Sequence, residues 1–286
     1  SVGQLTRGRV PAAARRTARR GPLTITALVV FGVVVVGAVL GSWIAPYPPD
    51  MLHAGPIDGP ATMTNPFGTD DLGRDILSRV LVGAGPSLFG PVIVVLLSTL
   101  LGVTLSVTAA WFGGVIRGTV ARLVDVIFAI PGLVLAVLAV AMFGKGQIAP
   151  ILALSVAYIP VVARLTQTAA SRELSMPYVA ALRIQSVSSA AICFRHLVPA
   201  LIPVIAAQAT VGFGYAMLDL AAISFLGLGA QPPAADWGSM IAGGQPGLLQ
   251  GAPEQSVFPA ALIVVTVLAV GVLGARVTIW AEEKER

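Results

Sequence analysis

Uncharged apolar stretches recur along the chain at lengths that fit a bilayer rather than a soluble core. Residues 23–45 form the clearest: 23 positions without a charge, 13 of them Leu, Ile, Val or Phe. At about −0.3 to −0.6 kcal/mol for each such residue at a helix centre, insertion is favoured by about 6 kcal/mol. A cleaved secretory signal has an apolar stretch of only about 7 to 15 residues, so an uncleaved first membrane helix is expected. Five further runs long enough for a core of about 30 Å follow at 86–111, 122–143, 148–163, 200–224 and 257–279. The pattern predicts an all-α fold with six transmembrane helices. The fourth run is short and carries Pro150 and Pro160, whose freed backbone groups neighbouring helices can satisfy.

Composition agrees, with 56% of the 286 residues hydrophobic and only 11% charged, against about 25% charged in soluble domains. Disorder and collagen are excluded, one for want of polar composition and the other for want of a Gly at every third position. The single Cys193 allows no intramolecular disulfide and no thiolate zinc cluster.

Sorting Lys and Arg by loop orients the helices. With the N-terminus inside, 15 of the 18 basic residues face the cytoplasm, and only Arg74, Arg79 and Lys145 face outward. Both termini are therefore expected in the cytoplasm. The predicted order is a basic arm (1–22), a first helix (23–45), an extracytoplasmic segment (46–85), five core helices (86–280) with an inner loop at 164–198, and a tail (281–286). The arm's six arginines could bind nucleic acid, but beside a membrane helix they are read as holding topology and touching anionic lipid.

Several chemistries are unavailable to this composition. A Walker phosphate loop needs Gly-Lys followed by Ser or Thr, yet Lys145 precedes Gly146 and Lys284 precedes Glu285. His53 and His196 are expected on opposite faces of the bilayer and so share neither a metal nor a triad. No catalytic residue, metal site or cofactor is assigned to this chain. Two acids lie within or beside the apolar runs. Asp219 is a candidate for the wall of a polar path, because a mid-bilayer carboxylate costs about 2.5 to 3.5 kcal/mol unless it faces protein or water. For Asp125 an ion pair with Arg122, one turn earlier, is expected.

The inner loop reads as a short helix on the membrane face, with Ser175 as cap, Pro177 in the first turn and Tyr178 to Gln185 helical. Ser186, Ser188 and Ser189 interrupt it. Such a helix can rest on lipid or enter a groove on a partner.

Four motifs carry a resemblance. Residues 65–75 read NPFGTDDLGRD, 122–131 RLVDVIFAIP, 195–199 RHLVP and 224–240 SFLGLGAQPPAADWGSM. In this order they closely resemble the C-type permease subunit of dipeptide/oligopeptide ABC importers, over nearly everything from Asn65 onward. The resemblance implies a type I ABC importer permease in a bacterial inner membrane. It also implies a homologous B-type permease, two ATPases that bind ATP and Mg, and an extracytoplasmic peptide-binding protein as partners. The inner loop would then be the family's EAA loop, whose coupling helix docks on an ATPase. Tyr178, Val179, Ala181, Arg183, Ser188, Arg195, His196 and Pro199 fall on family-typical letters. Ala180 stands where Glu is usual, Leu182 where the second Ala is, and Ser186 where the loop has Gly. The missing Gly removes an inexpensive left-handed conformation and puts the turn after the coupling helix in question. The acid the family carries near the end of the fifth helix aligns with Leu220, one residue from Asp219 and so about 100° around the helix.

Outside, the Gly- and Pro-rich stretch 224–240 is read as a connector with Trp237 anchored at the membrane interface, in preference to a gate or binding-protein contact. For 65–79 the resemblance supplies an identity and no physical mechanism. A rival class, a proton- or sodium-driven secondary transporter using Asp125 and Asp219, lacks the internal repeat such proteins often show; a third is a non-transporting scaffold. Dipeptides, longer peptides, nickel, haem and glutathione all remain compatible as cargo.

Overall fold

A computed structural model describes residues 21–284. The arginines of 1–20 and Arg286, with the readings of the arm and tail that rest on them, lie outside the described residues. The helices are α1 (Pro22–Ile44), α2 (Ile76–Phe112), α3 (Gly114–Phe128), α4 (Gly132–Phe143), α5 (Ile148–Leu174), α6 (Pro177–Ile184), α7 (Ser189–Ile192), α8 (Val198–Phe225), α9 (Trp237–Gly243), α10 (Gln245–Gln250) and α11 (Glu254–Lys284). A π-helical turn, Cys193–Leu197, joins α7 to α8.

Among the described residues five stretches are long and apolar enough to cross a membrane: α1, α2, α5, α8 with its preceding turns, and α11. The sixth crossing exists only if α3 and α4 count as one span bent by 76°. The sequence pattern predicted a continuous helix here. Pro131 breaks it, because proline offers no N–H to the ladder and disfavours helical backbone at the residue before it. Accordingly α3 ends at Phe128 and α4 restarts at Gly132.

Two helices outrun their apolar patterns by ten residues or more. The second starts at Ile76 rather than at 86, because Asp75 caps it by accepting from the Ser78 amide at 2.8 Å. The fifth runs through internal Pro160 and on past 163 to Leu174, so the first part of the expected inner loop is helix.

Packing inverts the soluble rule. Small residues fill the helix crossings, with Ala109, Ala136, Ala170 and Ala216 all fully buried, while Phe89, Leu100 and Val39 stand about two-thirds exposed on the outside. Lipid is as apolar as leucine, so close backbone approach rather than hydrophobic burial holds such a bundle. At the main crossing, α2 on α5, a Cβ on Gly102 would lie only 2.8 Å from the Val162 side chain. Larger side chains fill one end, where Ile76, Leu88, Phe213, Met217, Trp237 and Met240 form a cluster joining α2, α8 and α9.

Candidate functional site

Three features carry polar chemistry: the α6 end of the bundle, the opposite α9 end, and a stripe along α8.

At the first end α6 follows α5 after a two-residue turn. Its N-cap is Met176 without a side-chain bond. The expected cap, Ser175, instead donates its hydroxyl to the Arg172 carbonyl at 2.6 Å and closes α5. Val179 is buried. The Tyr178 hydroxyl donates to Glu173 at 2.6 Å, and its ring lies 6.3 Å from that of His196. Desolvation, with the bond to Glu173 adding to it, pushes the Tyr178 phenol up to about 12. Arg183 sits 4.8 Å from the centroid of the Trp111 ring on α2, a cation–π contact. Tyr178, Val179 and Arg183 therefore fasten α6 to the bundle. The surface left open holds Ala180, Ala181, Arg195 and Pro199, with Ile184 at 84% and Phe194 at 78% exposure; Leu182 is half-buried.

The turn after α6 is a Schellman motif. The Val187 amide donates to the Leu182 carbonyl at 3.1 Å and the Ser186 amide to the Arg183 carbonyl at 3.0 Å. Ser186 takes the left-handed conformation, φ 59°, that the motif demands. The turn that the missing glycine had put in question is thus kept, with serine bearing the strain. Ser188 then caps α7 by accepting from the Ala191 amide at 3.3 Å.

At the α9 end the motif over 65–79 gains a mechanism. Asp75, besides capping α2, accepts from Asn65 Nδ2 at 2.9 Å and from the Ser78 hydroxyl at 2.6 Å. Asp70 is fully buried, accepts the Leu72 and Arg74 amides at 2.9 Å each, and pairs with Arg74 Nε at 2.7 Å. Arg79 approaches the same carboxylate at 3.5 Å and donates to the Pro49 carbonyl at 2.8 Å. Phe67 stacks on Phe258 of α11 at 4.1 Å. The segment is a folded cap that ties α2 to α11. Gly68 and Gly73 form its left-handed corners, φ 77° and 71°.

Trp237 is not the interface anchor expected from its sequence context. It is 1% exposed, donates Nε1 to the Val80 carbonyl at 2.9 Å, and its amide donates to Ser87 at the same distance. Asp236 caps α9 through the Gly238 and Ser239 amides. A Cβ on Gly238 would lie 2.5 Å from the Ala221 carbonyl, so glycine lets α9 lie against α8.

Asp219 is half-buried on α8 and accepts from the Tyr158 hydroxyl of α5 at 2.8 Å. Asp125 does not pair with Arg122, which is exposed. Its partner is Arg164 at 2.6 Å, brought from α5 where α3 crosses it and laid over Phe128 at 4.5 Å. Tyr158 and Arg164 are six residues apart on α5, about 9 Å of rise. The two acids thus belong to separate clusters. Apart from these residues, a largely apolar recess of about 790 Å³ opens between α4 and α5, with Lys145 in its lining. Among the described residues no group of three His, Cys, Asp or Glu is placed to hold a metal. Sequence reasoning missed Tyr158, Glu173, Trp111 and Arg164, since each meets its partner through the fold or, for Glu173, across a turn.

The family model "Binding-protein-dependent transport system inner membrane component" matches residues 102–282. The glutathione transport system permease protein GsiD of Escherichia coli O6:K15:H31 (strain 536 / UPEC) is 36% identical over 265 residues, 91% of this chain and 86% of that protein. The GsiD protein of Shigella boydii serotype 4 (strain Sb227) matches to the same extent. Among solved structures, a chain of the MetNI methionine ABC transporter in an inward-facing conformation superposes with a TM-score of 0.57 at 20% identity, covering 71% of this chain and 96% of that one.

Proposed function

Because the chain belongs to the family of binding-protein-dependent transport system inner membrane components, we propose that this ABC importer permease subunit takes up di- and oligopeptides. Its fold is that of a type I importer permease. Peptide cargo is supported by the relatives named for glutathione, itself a tripeptide. In this reading the partners are a homologous permease, two ATPases that bind ATP and Mg, and an extracytoplasmic binding protein that delivers the peptide. The chain supplies the path, and energy comes from the partners.

The α6 end is the ATPase-docking surface, facing the cytoplasm as the arginine distribution expects. One observation carries this assignment: α6 is fastened at Val179 and Arg183 yet leaves Ile184 and Phe194 almost fully exposed at the end of the bundle. A rigid helix with apolar knobs suits a partner's groove. Where the family's Glu is replaced by Ala180, docking leans on these apolar contacts. In this reading Asp219 lies in the path wall.

ATP-dependent peptide uptake by vesicles holding the full complex tests the reading. Uptake should require ATP and binding protein, and a disulfide should form between Ile184→Cys and a cysteine in the ATPase groove. Uptake driven by an ion gradient without ATP, or a disulfide that never forms while uptake stays normal, would overturn it.

A further inference from the structure

The α8 stripe has no structural role that explains its composition. Gln208, Tyr215 and Asp219 are spaced by seven and four residues, which at 100° per residue keeps them within about 20° of one line down the helix. They span about 16 Å, half of a bilayer core. Tyr215 is 63% exposed and Gln208 half-buried, and Gln208 makes no hydrogen bond among the described residues. Asp219 has one partner, the Tyr158 hydroxyl on Oδ2, and no cation within 4 Å among the described residues.

A carboxylate, a phenol and an amide on one face of a membrane helix are costly against lipid and belong beside water or a polar ligand. Asp125, by contrast, has its cation in Arg164. The second oxygen of Asp219 can accept and has no donor among the described residues. Tyr215, one turn away, adds a hydroxyl and a ring face. A primary ammonium matches this set: it offers three donors and a full charge, and it is attracted to both carboxylate and aromatic ring. Calcium or magnesium would want six or more oxygens, and zinc or nickel several His, Cys or carboxylate ligands, of which this set has only Asp219.

Resting on the peptide-permease reading, we infer that Tyr158, Tyr215 and Asp219 form a subsite for the substrate's free amino group, placed along the path with Tyr158 holding the carboxylate in position. The permease then discriminates among peptides after the binding protein has released them.

The experiment uses the complete complex in proteoliposomes and compares uptake of trialanine with lactyl-dialanine, in which a hydroxyl replaces the terminal amine. The binding protein is the same in every assay, so its own preference cancels when the ratio is compared between variants. Asp219→Asn should shrink the amine preference by about tenfold, the scale of a charge-assisted hydrogen bond, and Asp219→Glu should restore most of it. Equal loss for both substrates, or an unchanged ratio, overturns the subsite while leaving the permease reading intact. Failure of the wild-type complex to take up either substrate overturns the peptide reading and the subsite together. If Asp219→Asn does not assemble, Tyr215→Phe, at an exposed position, should lower the ratio about threefold; no change there overturns the subsite.

Discussion

Ser186 and Gly227 occupy the same position in two Schellman turns of one chain. After α8, the Leu228 amide donates to the Ile223 carbonyl at 3.1 Å and the Gly227 amide to the Ser224 carbonyl at 2.9 Å, the pattern repeated after α6. Both residues are left-handed, φ 73° at Gly227 and 59° at Ser186. A side chain in that conformation costs about 1 kcal/mol or more. Ser186→Gly should therefore stabilise the purified protein by about 1 kcal/mol, and Gly227→Ala should destabilise it by a similar amount. Thermal unfolding in one detergent measures both. A destabilising Ser186→Gly would mean that the turn is not left-handed.

Asp70 and Asp71 are neighbours with opposite fates. Asp70 is fully buried against Arg74 and Arg79, whereas Asp71 is 46% exposed and reaches Arg74 only at 3.5 Å. Asp70→Asn takes the buried counter-charge from Arg79 and the nearer of two from Arg74, and should cost about 3 to 5 kcal/mol. Asp71→Asn should cost less than about 1 kcal/mol. Unfolding midpoints of the two variants, measured side by side, check the contrast; similar losses would remove Asp70 from the centre of the cap.

That pair shows where the sequence stops being legible. Long uncharged runs locate membrane helices because length and apolarity alone decide insertion. The break at Pro131 was written in the chain but masked by averaging over an apolar window. The start of α2 was hidden because Arg79 interrupts the apolar run, although its capping aspartate stood in plain view. Asp125 illustrates the harder limit: Arg122 was the nearest cation along the helix, yet the crossing of α3 on α5 supplies Arg164 from 39 residues away. Partners of that kind are products of packing, and one sequence does not contain them.

Trp237 offers a test of burial against interface anchoring. Its indole is inside the protein and bonded to the Val80 carbonyl. Trp237→Phe should lower stability by about 1 to 3 kcal/mol through the lost hydrogen bond and the gap left by the smaller ring. An interface anchor would tolerate the change within about 0.5 kcal/mol. Chemical or thermal unfolding in detergent distinguishes the two.

The Tyr178 phenol, pushed up to about 12, makes a pH statement. A raised folded value means that the neutral form, the one able to donate to Glu173, is favoured by folding. The stabilisation is fully present below the unfolded value near 10 and is lost as pH rises through about 12. The contact should thus be indifferent to pH across the physiological range. Absorbance at 295 nm, wild type minus Tyr178→Phe, should show this phenolate appearing near 12; an appearance near 10 would mean that the phenol is neither desolvated nor bonded to Glu173.

Arg183 and Ile184 are adjacent on α6 and should fail in different ways when truncated. The Arg183 guanidinium lies over Trp111 of α2, so Arg183→Ala loosens the helix from its own bundle. An exposed cation–π contact is worth about 0.5 to 1 kcal/mol, so the variant should unfold slightly earlier and couple poorly because α6 is misplaced. Ile184, at 84% exposure, supports little within the chain. Ile184→Ala should leave stability within about 0.5 kcal/mol while reducing retention of the ATPases during copurification, and Ile184→Ala with Phe194→Ala should reduce it further. Peptide uptake would fall in parallel with retention. If Ile184→Ala lowers stability and spares retention, the exposed knob belongs to the fold, and the ATPase must grip α6 elsewhere.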